Sequence, residues 1–174
     1  QKIFDAIEGM RADGIDSIRL NTVIKNDNLD QVLPILRRAE ALGVGVNYSV
    51  YTDFKNGNTA HLLERTQQRD IERLVGELLA FKRRKRGVIT NSDYYLEQLP
   101  RYVRGEMTEP CRSGISTIHI DPTGGVRRCP DFPVDFHWSE FRRYEPIDCN
   151  RCYYACRGEA QAPLRLSRVK DVMA

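Results

Sequence analysis

Five cysteines, read as Cys111, Cys129 and the group Cys149-Asn-Arg-Cys152-Tyr-Tyr-Ala-Cys156, constrain this chain more than any other feature. All lie at or beyond position 111, so the sequence has two chemically different halves. Two widely spaced cysteines followed by a C-x2-C pair supply four thiolates that separate segments can bring to one point. Such thiolates tie a loop-rich segment to a metal ion or an iron–sulfur cluster. An odd count, with no secretory signal in Gln1-Lys2-Ile3-Phe4-Asp5, disfavours a disulfide framework and fits a reducing, cytoplasmic setting.

The 174 residues are 41% hydrophobic, enough to core one ordinary domain or two small ones. No apolar run approaches the roughly 18–20 residues that cross a bilayer, so a membrane is not an expected partner. The net charge of +3 names no partner either. The dense basic run Lys82-Arg-Arg-Lys85-Arg86 follows the apolar stretch Leu74, Val75, Leu78, Leu79 and Phe81. It reads as a helix C-terminus whose cations meet the negative end of the dipole and point into water. No aromatic residues interleave with it, so nucleic acid is not expected.

In the first half, apolar spacing predicts a helix over Lys2–Asp13 with Ile3, Phe4, Ile7 and Met10 on one face and Gly14 as its stop. A strand follows over Ile18–Ile24. Asn28 is placed to cap a helix over Leu29–Leu42 that Gly43 closes. Pro34 requires that helix to start later or to kink. Val44–Thr52 alternates as a second strand. Helix, strand, helix, strand with short connections is a βαβ crossover, hence parallel strands. The second face of the strands carries Asn21, Asn47, Ser49 and Tyr51. These are candidate substrate- or cofactor-facing residues, because polar groups near strand ends of parallel sheets line ligand sites; ordinary solvent-facing ends are the alternative. A loop over Asp53–Arg69, a helix from Asp70 to about Arg86, and a shorter helix capped by Asn91 or Ser92 and disturbed by Pro100 complete this half.

From Cys111 the character changes. Gly114–Ile120 alternates, Asp121-Pro122-Thr123-Gly124-Gly125 is turn chemistry, and Val126–Cys129 makes a return strand. A last helix is expected over Ser167–Met173. The full spacing is C-x17-C-x19-C-x2-C-x3-C, and within it Cys111-x12-Gly124-x4-Cys129 frames Ile118-His-Ile-Asp-Pro-Thr-Gly-Gly-Val-Arg-Arg-Cys129-Pro130. This resembles the C-terminal auxiliary-cluster module, twitch or SPASM, of radical S-adenosylmethionine enzymes. There a cysteine precedes an I-x-P-x-G-x-V-x-x-C-P hairpin and a C-x2-C pair follows. The strand from Ser17 through Asn28, with the helix leading to Gly43, is similar to the late portion of that family's partial barrel.

The resemblance implies an α/β chain. Residues 1–105 would be the terminal strands and helices of a parallel partial (β/α) barrel, and residues 106–174 a small α+β iron–sulfur domain with a β-hairpin. It also implies an auxiliary [4Fe–4S] cluster, S-adenosylmethionine in an intact parent oxidoreductase or maturase, an electron donor, and a small-molecule or peptide substrate. The family's reactive C-x3-C-x2-C is not in this sequence, and with Gln1 as its first residue the chain reads as the downstream part of a longer protein, inactive alone. Cys111, Cys129, Cys149 and Cys152 are the expected ligands. Cys156 is the rival for the last place, because a terminal C-x3-C cysteine also ligates in the longer family motif. Arg127, Arg128, Arg151 and Arg157 are cations beside the cluster or solvated surface; His119 reads as a strand surface residue, and His137, next to Trp138, as surface with a place over the cluster as the alternative. The competing function is a structural zinc module held by four thiolates, with no redox role.

Overall fold

A computed structural model describes residues 2–107, 109–140, 147 and 149–163. The helix expected over Ser167–Met173 lies outside the described residues. The fold is mixed α/β, with a parallel pair of strands and a separate three-stranded antiparallel sheet.

Helix α1 (Lys2–Ala12) leads to β1 (Arg19–Ile24), α2 (Val32–Ala41) and β2 (Gly45–Val50). The strands pair in parallel, Arg19 opposite Gly45 through Ile24 opposite Val50, as the crossover requires. Alternation sorts their faces as read from the sequence: Thr22, Ile24, Val46, Tyr48 and Val50 are buried, while Arg19, Asn21 and Val23 are exposed. In α1 only Ile7 is buried; Ile3 is 67% exposed, because the contacts of this helix run along its other residues to α2, through Glu8–Arg38 and Phe4 under the Arg38 guanidinium.

Pro34 is accommodated by a late start. Leu29–Gln31 is a short 3-10 turn and α2 proper begins at Val32, so Pro34 falls in the first turn, where its missing N–H has no helical acceptor. Asn28 does not cap the helix with its side chain. Its amide instead closes the loop after β1, accepting from Lys25 N–H at 2.9 Å and donating to Val23 C=O at 2.9 Å. At the other end Gly43 takes φ +66°, with Gly43 N–H on Glu40 C=O and Val44 N–H on Ala39 C=O. This is a Schellman closure that needs the glycine.

Helix α3 (Gln68–Arg84) and helix α4 (Asp93–Arg104) pack on each other, and Ile71, Leu74, Val75, Leu78, Tyr95, Leu96 and Leu99 join the residues of α2 and the sheet in one core. Among the described residues, none forms a helix long and apolar enough to cross a membrane. Lys82 departs from the expectation of a solvated cation. It is 3% exposed, with Nζ on Asn91 C=O at 2.7 Å and Asp93 Oδ1 at 2.9 Å, because the last turn of α3 abuts the start of α4. Arg83 to Arg86 do point into water.

The polypeptide between these helices extends the parallel sheet in an unexpected way. Ile89 bridges Val46 in parallel. One step on, where a continuing strand would bond Tyr48, the fully buried Asn91 side chain does so: Oδ1 accepts from Tyr48 N–H at 2.6 Å and Nδ2 donates to Tyr48 C=O at 3.0 Å. Ser92 is therefore the cap, accepting from Tyr95 N–H at 3.0 Å. The helix then passes through Pro100 to Arg104 and does not end there.

Beyond, β3 (His119–Ile120), β4 (Gly125–Arg127) and β5 (Phe136–His137) form the antiparallel sheet in that order. The expected strand over Gly114–Ile120 is shorter, since Gly114 to Ser116 turn back on Arg112 and Thr117. The hairpin turn is a type I turn followed by Gly124 at φ +87°, with Gly124 N–H on Asp121 C=O and Asp121 N–H on Gly125 C=O. Gly125 does not share the positive φ, and is small because a Cβ would press on Asp121 and Val134. Asp121 Oδ1 accepts from Thr123 and Gly125, and Oδ2 from Arg127 at 2.8 Å; these bonds hold its carboxyl down to about 2. Short helix α5 (Ala155–Gln161) closes the described chain and packs on α4 and β2.

Candidate metal centre

The segments bearing cysteines are gathered by hydrogen bonds that the sequence does not advertise. Ser113 Oγ donates to Arg128 C=O, pinning the Cys111 strand beside the one that leads to Cys129. Cys111 bridges Ile147 in antiparallel fashion, and Cys149 N–H returns to Ile147 C=O at 3.0 Å. Arg157, 2% exposed, then links the segment before Cys111 to the C-x2-C loop. Its guanidinium donates to Cys152 C=O at 2.7 Å, Asn150 Oδ1 at 2.7 Å and Glu109 C=O at 3.1 Å.

The same loop is anchored to the core by aromatic packing. Tyr153 stacks on Tyr95 at 4.8 Å and on Tyr102 at 5.4 Å, and its hydroxyl donates to Tyr95 C=O at 2.8 Å. Gly158 leaves the space this stack needs, since a Cβ there would overlap the Tyr95 ring. Thr52, Phe54 and Lys55, just after β2, meet Tyr154, Arg151 and Asp131 respectively.

All five thiols are free of disulfides; Cys111 and Cys152 are buried and the other three half-buried. Burial pushes Cys152 up to about 12 and raises Cys129 and Cys156 as well. Backbone amides pull the other way, and they do so in a repeated pattern. The N–H of Ser113 donates to Cys111 Sγ at 3.4 Å, that of Asp131 acts on Cys129, and that of Tyr154 on Cys152, each two residues after its cysteine. Cys156 receives the amides at the start of α5. The four also feel one another: Cys111 and Cys156 act on Cys129, Cys111 and Cys129 on Cys152, and Cys111 on Cys156.

Among the described residues no three His, Cys, Asp or Glu side chains already form a metal-ion site, so loading any metal requires the thiols to turn toward one another. Free thiols are nonetheless donors of the type a thiophilic metal takes, and one of them, Cys111, accepts a backbone amide.

The other candidates divide. Asn47 Nδ2 donates to Asn21 Oδ1 at 3.0 Å and Ser49 Oγ to the same oxygen at 3.3 Å, so these three form one polar strip on the uncovered face of the sheet. Tyr51 stands apart, its hydroxyl donating to Asn58 C=O at 3.0 Å. Of the arginines, Arg157 faces the thiols, while Arg127 pairs with Asp121, Arg128 with Asp135, and Arg151 lies 4.2 Å over Phe54. His137 packs beside Gly124 and Trp138, and β5, which the sequence reading did not find, carries it there. No protein-family model, curated protein or solved structure matches the chain.

Proposed function

We propose that residues 106–174 form an auxiliary iron–sulfur module of a radical S-adenosylmethionine oxidoreductase or maturase, and that residues 1–105 are late βα units of its partial barrel. The observation that carries this reading is that free cysteines of three segments are tied together by Ser113, the Ile147 bridge and buried Arg157, with the Ser113 amide donating to Cys111 Sγ at 3.4 Å. An N–H donor favours the thiolate over the thiol, and hydrogen bonds to sulfur tune a bound cluster. A [4Fe–4S] cluster bound there would supply one-electron transfer or a site for substrate. Cys149 and Cys156 compete for the fourth place. The polar strip Asn21, Asn47 and Ser49 supports the barrel portion, since a face left bare by helices suits the inside of a parallel barrel.

The test loads each Cys→Ala variant anaerobically with iron and sulfide and counts bound iron. Cluster loss is expected at Cys111, Cys129 and Cys152 and at one of Cys149 and Cys156, with retention at the other. Full retention at Cys111 or Cys129 would overturn the reading.

A further inference from the structure

We propose that the cleft beyond the carboxyl end of β2, between the last turn of α4 and the C-x2-C loop, binds a small carboxylic acid with an aromatic or aliphatic tail. The cleft has a volume of about 320 Å³, and Tyr51, Leu62, Leu63, Tyr102, Val103 and Met107 supply most of its lining. That volume lies at the lower end of small-molecule sites, which run from about 300 to 1,000 Å³. Its walls come from three distant segments. Tyr51 follows β2 directly, in the position where parallel α/β sheets take their ligands. Tyr102 and Val103 close α4, and Asn150 reaches the cleft from between Cys149 and Cys152.

The interior is apolar in effect, because its polar tips are already engaged. The Tyr51 hydroxyl donates to Asn58 C=O at 3.0 Å, and the Tyr102 hydroxyl donates to Arg151 C=O at 3.4 Å. Asn150 Oδ1 accepts from Arg157 at 2.7 Å. What remains for a ligand is ring and aliphatic surface, which favours a hydrocarbon tail.

The border of the cleft supplies the charge. Gly105, which closes α4 at φ +74°, is part of the lining, and a Cβ on it would lie 3.0 Å from Arg65 Nη2. The bare glycine thus lets the guanidinium come up to the cleft. Among the described residues that guanidinium has no ion pair and no hydrogen bond. Glu106, near enough to feel its charge, is taken by Arg104 at 2.7 Å. A carboxylate matches the planar fork of N–H donors that Arg65 presents. The site needs no iron at the thiols and stands apart from the iron–sulfur reading.

The full chain, with no metal added, is titrated with hydrocinnamate and with its neutral counterpart hydrocinnamyl alcohol, and binding is read from amide NMR shifts. The acid is expected to bind about tenfold more tightly than the alcohol, as a hydrogen bond to a charged group provides, with shifts at Leu62, Val103 and Asn150. Arg65→Ala is expected to erase that preference and leave alcohol binding unchanged. Leu62→Trp, which fills the cleft, is expected to abolish binding of both probes; should it fail to fold by circular dichroism, Leu62→Phe replaces it. Equal affinity for acid and alcohol in the wild type, a preference that survives Arg65→Ala, binding that survives a filled cleft, or no binding of either probe would overturn the proposal. Each of these results leaves the iron count at the cysteines untouched.

Discussion

Arg157→Ala is expected to destabilise the protein by about 2–4 kcal/mol, from buried acceptors left without their donor. Its guanidinium is sealed from water and donates to two backbone carbonyls and to Asn150. Truncation strands all three acceptors, each costing about 1–3 kcal/mol when buried and unpaired, and only part of this is recovered by water entering the gap. Against a typical domain stability of about 5–15 kcal/mol the loss is large. Guanidinium unfolding followed by circular dichroism reads it as a lowered midpoint. Arg157→Lys should recover a minority of the loss, because an ammonium cannot span three acceptors placed for a planar fork. A change under about 1 kcal/mol for Arg157→Ala would mean the Cys111 and Cys152 segments are held together by other means.

The second large effect belongs to Asn91. Its side chain supplies both hydrogen bonds that a neighbouring strand would give Tyr48. Asn91→Ala leaves one buried donor and one buried acceptor unmet, an expected loss of about 2–4 kcal/mol. Asn91→Asp keeps the acceptor but sets an anion against the Tyr48 carbonyl, and should be no better. Ser92→Ala, which removes only a helix cap, is the control at about 1 kcal/mol. Equal losses at the two positions would show that Asn91 acts as a cap and not as a strand surrogate.

These two residues mark where the sequence stopped being legible. Strand alternation and glycine stops were sufficient for β1, α2 and β2, because each is decided by local periodicity and by what Gly43 alone can do. The hairpin turn was readable for the same reason, in Pro122 and Gly124. Asn91 and Ser92 look alike in sequence, as both are cap formers; only the nearness of Tyr48, forty-three positions earlier, separates them. Lys82 looked solvated within a run of cations, since nothing local reveals that Asp93 and the Asn91 carbonyl come to meet it. The cysteines were legible as a spacing, but that Cys111 bridges Ile147 and that buried Arg157 ties its segment to the C-x2-C loop are tertiary facts.

Metal analysis of the chain produced and purified without oxygen tests the central claim most directly. Iron with an equal amount of acid-labile sulfide, and a brown colour with broad visible absorbance that bleaches on reduction, is the expected result. A colourless protein holding one zinc and no sulfide would contradict it, leaving a structural thiolate module in place of a redox centre.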